Sequence, residues 1–140
     1  MTLMIPDSHK DLLEGPVYVT LTTVMPDGQP QSSVVWWDGD DNYILINTAR
    51  GRQKEKNMTR NAKVTIMAID PQNPYRWLEV RGVVEDISED GGVEHIEKLS
   101  RKYVNRGYYG DFAPAERRQQ ETRLVVRIRP TKVLAYPFKH

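Results

Sequence analysis

The chain has no cysteine among its 140 residues. Disulfides, thiolate catalysis and cysteine-zinc sites are therefore excluded, and a reducing cytosolic setting is permitted. An excess of one charge is also lacking: 20 Lys and Arg stand against 19 Asp and Glu, for a net charge of +1. No global field draws such a chain onto nucleic acid or a membrane surface. The apolar runs are far shorter than the roughly 20 residues a spanning helix needs. Met1 to Asp7 lacks a basic segment followed by a long apolar one, so no signal peptide is expected. These absences predict a cytoplasmic protein, with residues 1–140 forming one domain large enough for a real core and with no nucleic-acid or membrane partner.

Several kinds of catalytic motif are missing as well. The three histidines, His9, His95 and His140, show no metal-ligand spacing and are expected on the surface. No metal site is expected. There is no Gly-x-Ser-x-Gly elbow, no phosphate loop of the Walker type and no Gly-x-Gly-x-x-Gly after a strand. Asp38, Asp40 and Asp41 lack the loop length and terminal Glu of a calcium site and read as a solvated hairpin turn. An enzyme with this inventory would depend on an organic cofactor.

What is present is a run of β-type segments. Ser8 to Leu13 suits a short helix, stopped by Gly15-Pro16. Val17 to Val24 alternates and is rich in β-branched residues, as a strand requires. Asp27-Gly28 signals a hairpin, and Ser32 to Trp37 is its returning strand. After a turn at 38–42, Tyr43 to Asn47 is a third strand, completing a meander. A helical segment at 51–61 precedes a fourth strand, Lys63 to Asp70. A long fifth strand runs from Tyr75 to Ile87, and Gly82 within it marks a bulge or bend. Val93, Ile96, Leu99 and Tyr103 fall on one face of a helix. A loop from Asn105 to Pro114 and a short helix at 115–120 lead to a sixth strand, Arg123 to Arg129. Val133 to Tyr136 is a possible seventh. The pattern predicts a mainly β fold: six to seven antiparallel strands in a barrel with a few outer helices.

The densest chemical signal is Asn47-Thr48-Ala49-Arg50-Gly51-Arg52-Gln53-Lys54-Glu55-Lys56-Asn57, where a strand gives way to a helix. A helix N-terminus presents unpaired N–H groups and a positive dipole end to an anion. Arg52 adds a planar fork and Lys54 a point charge. The segment reads either as a phosphate pocket or as a solvated helix start with ordinary surface charges.

Four segments in order resemble the pyridoxamine-phosphate-oxidase-like split β-barrel family. They are Thr20 to Thr23 with Asp27 to Trp36, then Gly51-Arg52-Gln53-Lys54 with Asn57, then Leu78 to Gly82, then Arg127 to Val133. The chain is most similar to the branch that uses the deazaflavin coenzyme F-420. It ends Ala135-Tyr136-Pro137-Phe138-Lys139-His140 and has no Trp after Trp77, unlike the Arg-, Trp- and His-bearing end of true pyridoxamine phosphate oxidases. That departure argues against vitamin B6 chemistry.

The resemblance implies a split barrel working as a homodimer, with a cofactor in each groove between subunits. Arg52, Gln53 and Lys54 would hold the phosphate, with a hydroxyl from Thr48 and support from Asn57. Gln31, Ser33 and Val35 share a strand face by period two and would line the ring. Tyr75 and Trp77 would cover the ring from the partner subunit, or else pack within the core. Trp36 and Trp37 must face opposite sides of a strand, one to the core and one to the dimer interface or the groove. The loop 103–112 would cap a small-molecule substrate, or else pack on itself as an Ω-loop. No residue stands out as catalytic; Tyr75, Tyr108 and Tyr109 are acids by type only.

The implied activity is an F-420-dependent oxidoreductase that reduces a small electron-poor organic substrate by hydride transfer. The alternatives are an FMN-binding oxidoreductase of the same fold, a non-catalytic flavin- or deazaflavin-binding protein, and a small barrel that stacks nucleic-acid bases, which the charge balance disfavours.

Overall fold

The structure, a computed structural model, describes residues 4–137. Seven antiparallel strands form one curled sheet. They are β1 (Val19–Val24), β2 (Pro30–Val35), β3 (Trp37–Gly39), β4 (Ile44–Ala49), β5 (Lys63–Asp70), β6 (Asn73–Ser88) and β7 (Arg123–Tyr136). The helices are α1 (Asp11–Glu14), α2 (Gln53–Arg60), α3 (Gly92–Val104) and α4 (Arg117–Gln120), with a 3-10 turn at Asp7–His9. This is the antiparallel barrel that the strand pattern predicts, in the split form that the resemblance implies.

The order across the sheet is β2-β1-β5-β6-β7-β4-β3. So β2 and β3, separated in the chain by Trp36 alone, lie at opposite edges of the sheet. The expected single strand from Ser32 to Trp37 therefore breaks in two. Val35 still pairs with Val19 on β1, whereas Trp37 pairs with Ile46 on β4. The first half is not a meander but two separate hairpins, and the peptide at Trp36 bridges the seam between them. The sheet must curl for one residue to span its two edges.

Strand alternation supplies the core. Val19, Leu21, Trp37, Ile44, Ile46, Ile66, Leu78, Val80, Val126 and Ile128 are all buried inside the barrel. Trp37 is fully enclosed, and its indole N–H donates to the Leu12 carbonyl at 3.0 Å. That bond satisfies the one polar atom of a side chain whose burial stabilises by about 1.5–3 kcal/mol.

The first hairpin turns as expected. Gly28 has φ +88°, and Gln29 N–H donates to the Asp27 carboxylate, an Asx turn. The expected bend at Gly82 is also present, where the β6–β7 register shifts between Arg81 and Gly82. A Cβ on Gly82 would stand 2.8 Å from the Arg129 carbonyl oxygen, so no side chain fits there. Two extended segments expected after residue 123 are one continuous strand, β7. Pro130 does not break it, because that position sits where the register shifts.

Two histidine expectations are overturned. His9 is buried; its ring bonds the Ser8 hydroxyl and the Tyr136 carbonyl, each at 2.8 Å. His95 is buried as well, paired at 2.8 Å with Asp38, which is no solvated turn residue. The reason is the split: Trp37 and Asp38 start a new strand, so Asp38 lies beneath α3 rather than in the turn. His140 lies outside the described residues.

Candidate functional site

A cleft of about 280 Å³ opens at the seam. Its walls come from the end of β2, from β4, α2, α3 and the loop after α3, and from the start of β7. It has an aromatic end and a basic end.

At the aromatic end, Trp36 stacks on Tyr103, with centroids 5.3 Å apart and planes 13° apart. Tyr18 meets Tyr103 edge-on at 5.4 Å, and Phe112 lies 5.3 Å from Trp36. Tyr18, Val34, Val35, Trp36, Tyr108 and Phe112 all line the cleft. The adjacent tryptophans divide as alternation requires, Trp37 into the core and Trp36 into the groove. The Tyr103 phenol donates to the Val17 carbonyl and accepts from Trp37 N–H; burial pushes its pKa up to about 12. It is a structural strut rather than an acid. The loop is pinned by Glu97, whose carboxylate accepts from the backbone N–H of Tyr108 and of Tyr109 at 2.9 and 3.1 Å.

At the basic end stand Arg52, Lys54 and Arg123, with Asn47 between strand and helix. One carboxylate, Glu121, serves this cluster. It accepts from Arg123 Nε at 3.0 Å and from the Tyr109 phenol at 2.7 Å, and it lies 3.8 Å from Arg52. Three cations against one anion leave a local surplus. Lys54 is half-buried, and among the described residues its ammonium has no hydrogen-bond acceptor and no carboxylate within ion-pair distance. Burial, then the charges of Arg52 and Arg123, push its pKa below the usual lysine value. A cation desolvated in this way is stabilised by an incoming anion.

The α2 N-terminus adds to this field. Arg52 occupies the N-cap position and makes no side-chain cap, so the first N–H groups of the helix stay free for a ligand. Glu55 instead accepts from Gly51 N–H at 2.9 Å, which closes the turn behind the helix.

Of the ten residues singled out from the sequence, the structure brings Val35, Arg52 and Lys54 together in this cleft. Thr48 is a correction. Its side chain is fully buried and its hydroxyl unpartnered, since it shares the inner face of β4 with Ile44 and Ile46. The cleft-facing residue of that strand is its neighbour Asn47. Asn57 is also fully buried. Its amide donates to the Thr23 hydroxyl at 3.0 Å and accepts from Gln53 at 2.8 Å. Thr23 in turn donates to Gln31 at 3.0 Å. Gln31, Gln53 and Asn57 thus form the joint between α2 and the first hairpin, not the cleft wall. Ser33 lies on the same strand face as Gln31, with its hydroxyl buried and unpartnered.

Tyr75 is 77 % exposed and Trp77 stacks on Tyr136 at 5.4 Å. Both stand on β6, and neither lines this cleft. Asn47, Arg123 and Tyr18 escaped the sequence reading. Arg123 gave one signal, a charged residue opening an otherwise apolar strand; it is only 5 % exposed. The other cations near this turn, Arg50, Lys56 and Arg60, do not extend the basic end. Arg50 pairs with Glu89, Arg60 donates to the Val24 carbonyl, and Lys56, two residues from Lys54, leaves α2 on another side.

A larger cavity, about 470 Å³, lies between α1, the β3–β4 hairpin and α3. Its three lysines all have partners. Lys10 pairs with Asp7 and Lys98 with Asp38. Lys102, pushed down to about 8 by burial, donates to the Leu13 and Trp37 carbonyls at 2.7 Å. The surplus charge of the seam cleft makes the cleft the better ligand site. Among the described residues no cluster of His, Asp or Glu could hold a metal, and no helix is long and apolar enough to cross a membrane.

Residues 5–136 match the family model of pyridoxamine 5'-phosphate oxidase. A solved F420 reductase is 38% identical, with 93% of this chain and 98% of that one covered and a TM-score of 0.80. A conserved hypothetical protein from Mycobacterium tuberculosis is 22% identical over 99% of this chain and 91% of its own, with a TM-score of 0.71. The HupZ protein of Group A Streptococcus is 20% identical over 95% and 94%, with a TM-score of 0.68. The latter two likenesses are of fold alone. Comparison with curated proteins finds no match.

Proposed function

The chain belongs to the pyridoxamine 5'-phosphate oxidase family, and from that premise we propose that it is a reductase dependent on the deazaflavin coenzyme F-420. It reduces a small electron-poor organic substrate, works as a homodimer and is a single cytoplasmic domain. The observation that carries this is Lys54, a half-buried ammonium without a protein anion, beside Arg52 and Arg123 at one end of an aromatic cleft. Such a site fits a phosphate joined to a flat ring.

When bound, the deazaflavin supplies the hydride. Arg52 and Lys54 bind its phosphate, the free N–H groups of α2 orient it, and Trp36, Tyr18 and Phe112 keep water from the ring. The cleft is small for a whole deazaflavin coenzyme, which supports completion by a second subunit; Tyr75 and Trp77 then cover the ring from that subunit. The 38% identity to an F420 reductase favours the deazaflavin over FMN, whose phosphate the same end would accept.

The test is the absorbance spectrum of protein purified from a host that makes F-420, then titration with F-420 and with FMN. Tighter binding of F-420, with the gap narrowing as salt rises, is the expected outcome. Micromolar FMN binding without measurable F-420 binding at low salt would replace this reading with the FMN one.

A further inference from the structure

Behind the basic end of the cleft lies a buried polar chain that crosses from β3 to β7. Asp38 and His95 are 7% and 8% exposed and meet at 2.8 Å through His95 Nε2. The other ring nitrogen, Nδ1, lies 3.2 Å from the Asn47 side-chain nitrogen. That nitrogen also donates to the Gly92 carbonyl at 2.8 Å, and the Asn47 oxygen accepts from Arg123 Nη1 at 3.4 Å. Arg123 continues to the Tyr108 phenol at 2.5 Å.

The chemistry of the partners dictates every proton in this chain. The Gly92 carbonyl only accepts, so the amide must turn its NH2 toward it. Arg123 only donates, so the amide must turn its oxygen toward the guanidinium. The second N–H of that NH2 then faces His95 Nδ1, which must be a bare acceptor. The ring proton is left on Nε2, where Asp38 takes it. Asp38 therefore selects the His95 tautomer that can accept from Asn47, and His95 becomes the third partner, with Gly92 and Arg123, that holds the amide in this orientation. A buried pair of this kind adds little to stability by itself, so its effect is sought in what it orients.

We propose that His95, held by Asp38, is a positioning residue for the basic end of the cleft: it fixes the amide of Asn47 and, through it, the Arg123 guanidinium that meets the ligand phosphate. The inference rests on the reading of the cleft as a phosphate site. His95 touches no ligand. It acts chiefly on the phosphate, because Asn47 and the Arg123 guanidinium stand at that end and only Tyr108 links them to the aromatic wall.

Ligands with and without the phosphate test this: FMN against riboflavin, which differ by the phosphate alone, and F-420 against its deazaflavin riboside, which lacks the phosphate together with the tail beyond it. Affinities are read by fluorescence for the wild type, His95→Leu and His95→Gln. Loss of one uncharged hydrogen bond predicts a drop of about threefold to tenfold for the phosphorylated ligands in His95→Leu. The phosphate-free ligands should bind as they do to the wild type. Gln can accept from Asn47 and donate to Asp38, so His95→Gln should recover most of the loss. Equal weakening of both members of each pair, or no weakening, overturns the proposal.

Two measurements stand apart from cofactor binding. The 15N shifts of the His95 ring in the wild type should show Nε2 protonated and Nδ1 bare; the opposite tautomer overturns the proposal even if His95→Leu does not fold. The Arg123 Nη resonances should be sharp in the wild type, where Asn47 holds Nη1, and exchange-broadened in His95→Leu; unchanged resonances also overturn it. If the wild type binds none of the four ligands, the cofactor reading fails while these two spectra still decide the positioning role.

Discussion

Gly92 presses against Arg123 so closely that a Cβ on Gly92 would lie 2.1 Å from the Arg123 carbonyl oxygen. The start of α3 is thereby docked on the start of β7, the same residue that turns its guanidinium to the cleft. A methyl group here meets backbone, which cannot swing aside. Gly92→Ala should destabilise the fold by about 1–3 kcal/mol, the range for overpacking, and should weaken phosphorylated-ligand binding as well. Urea denaturation and ligand titration on the same preparation check both. Wild-type stability in this variant would show that α3 is free to shift.

Arg52 and Lys54 should each contribute about 1.5–3 kcal/mol to binding of a phosphorylated cofactor, as charge-assisted contacts do. Arg52→Ala and Lys54→Ala should then bind about tenfold to a hundredfold more weakly. The exposed Arg101→Ala is the control. Three equal affinities would move the pocket elsewhere.

The pH dependence of binding should report Lys54. Burial and neighbouring arginines lower its pKa in the free protein, and a bound phosphate would raise it again. Binding therefore takes up a proton in the window between those two values, and affinity should fall as pH rises through it. For folding the sign is opposite. The lowered folded pKa means that the unfolded chain binds more protons, so stability gains as pH rises from the folded value toward 10.5. Lys54→Met should flatten the basic limb of the binding profile; a profile identical to the wild type would exclude Lys54 from the site.

Glu97 should govern the mobility of the aromatic loop. It holds the backbone N–H groups of Tyr108 and Tyr109, bonds to a charged acceptor that each contribute about 1.5–3 kcal/mol. Glu97→Ala should speed amide hydrogen exchange at residues 107–113 while leaving the barrel strands protected. Exchange in the loop unchanged from the wild type would mean that its aromatic packing alone holds it.

Asn57 should be costly to remove although it touches no ligand. It is fully buried and bonds Thr23, Gln53 and the Met25 sulfur. Asn57→Leu leaves the Thr23 hydroxyl and the Gln53 amide without this partner, a loss of about 1–3 kcal/mol, read as a lower denaturation midpoint.

Much of this fold could be read from the chain because it is written in local patterns. β5 occupies 63–70 as its β-branched alternation indicates, α2 follows β4 where the basic turn signals it, and Gly82 marks its bend. These follow from φ/ψ preference and side-chain period, which neighbouring residues decide among themselves. Arg52 and Lys54 were legible for the same reason, since a strand, a turn and a helix start are contiguous.

The meetings of distant segments depend instead on the whole fold. Nothing near Trp36 announces that the strand on either side of it pairs at opposite edges of the sheet; that is settled by the curl of all seven strands. Once the split exists, Asp38 falls beneath α3 and meets His95, 57 residues away, and Arg123 closes the cleft from β7. The resemblance implies a ligand role for Thr48 and not for Asn47, and strand period cannot arbitrate, because a period of two tells which residues share a face but not which face is inside. That choice belongs to the packing of the barrel, where the larger apolar set, Ile44 and Ile46, takes the interior and carries Thr48 with it.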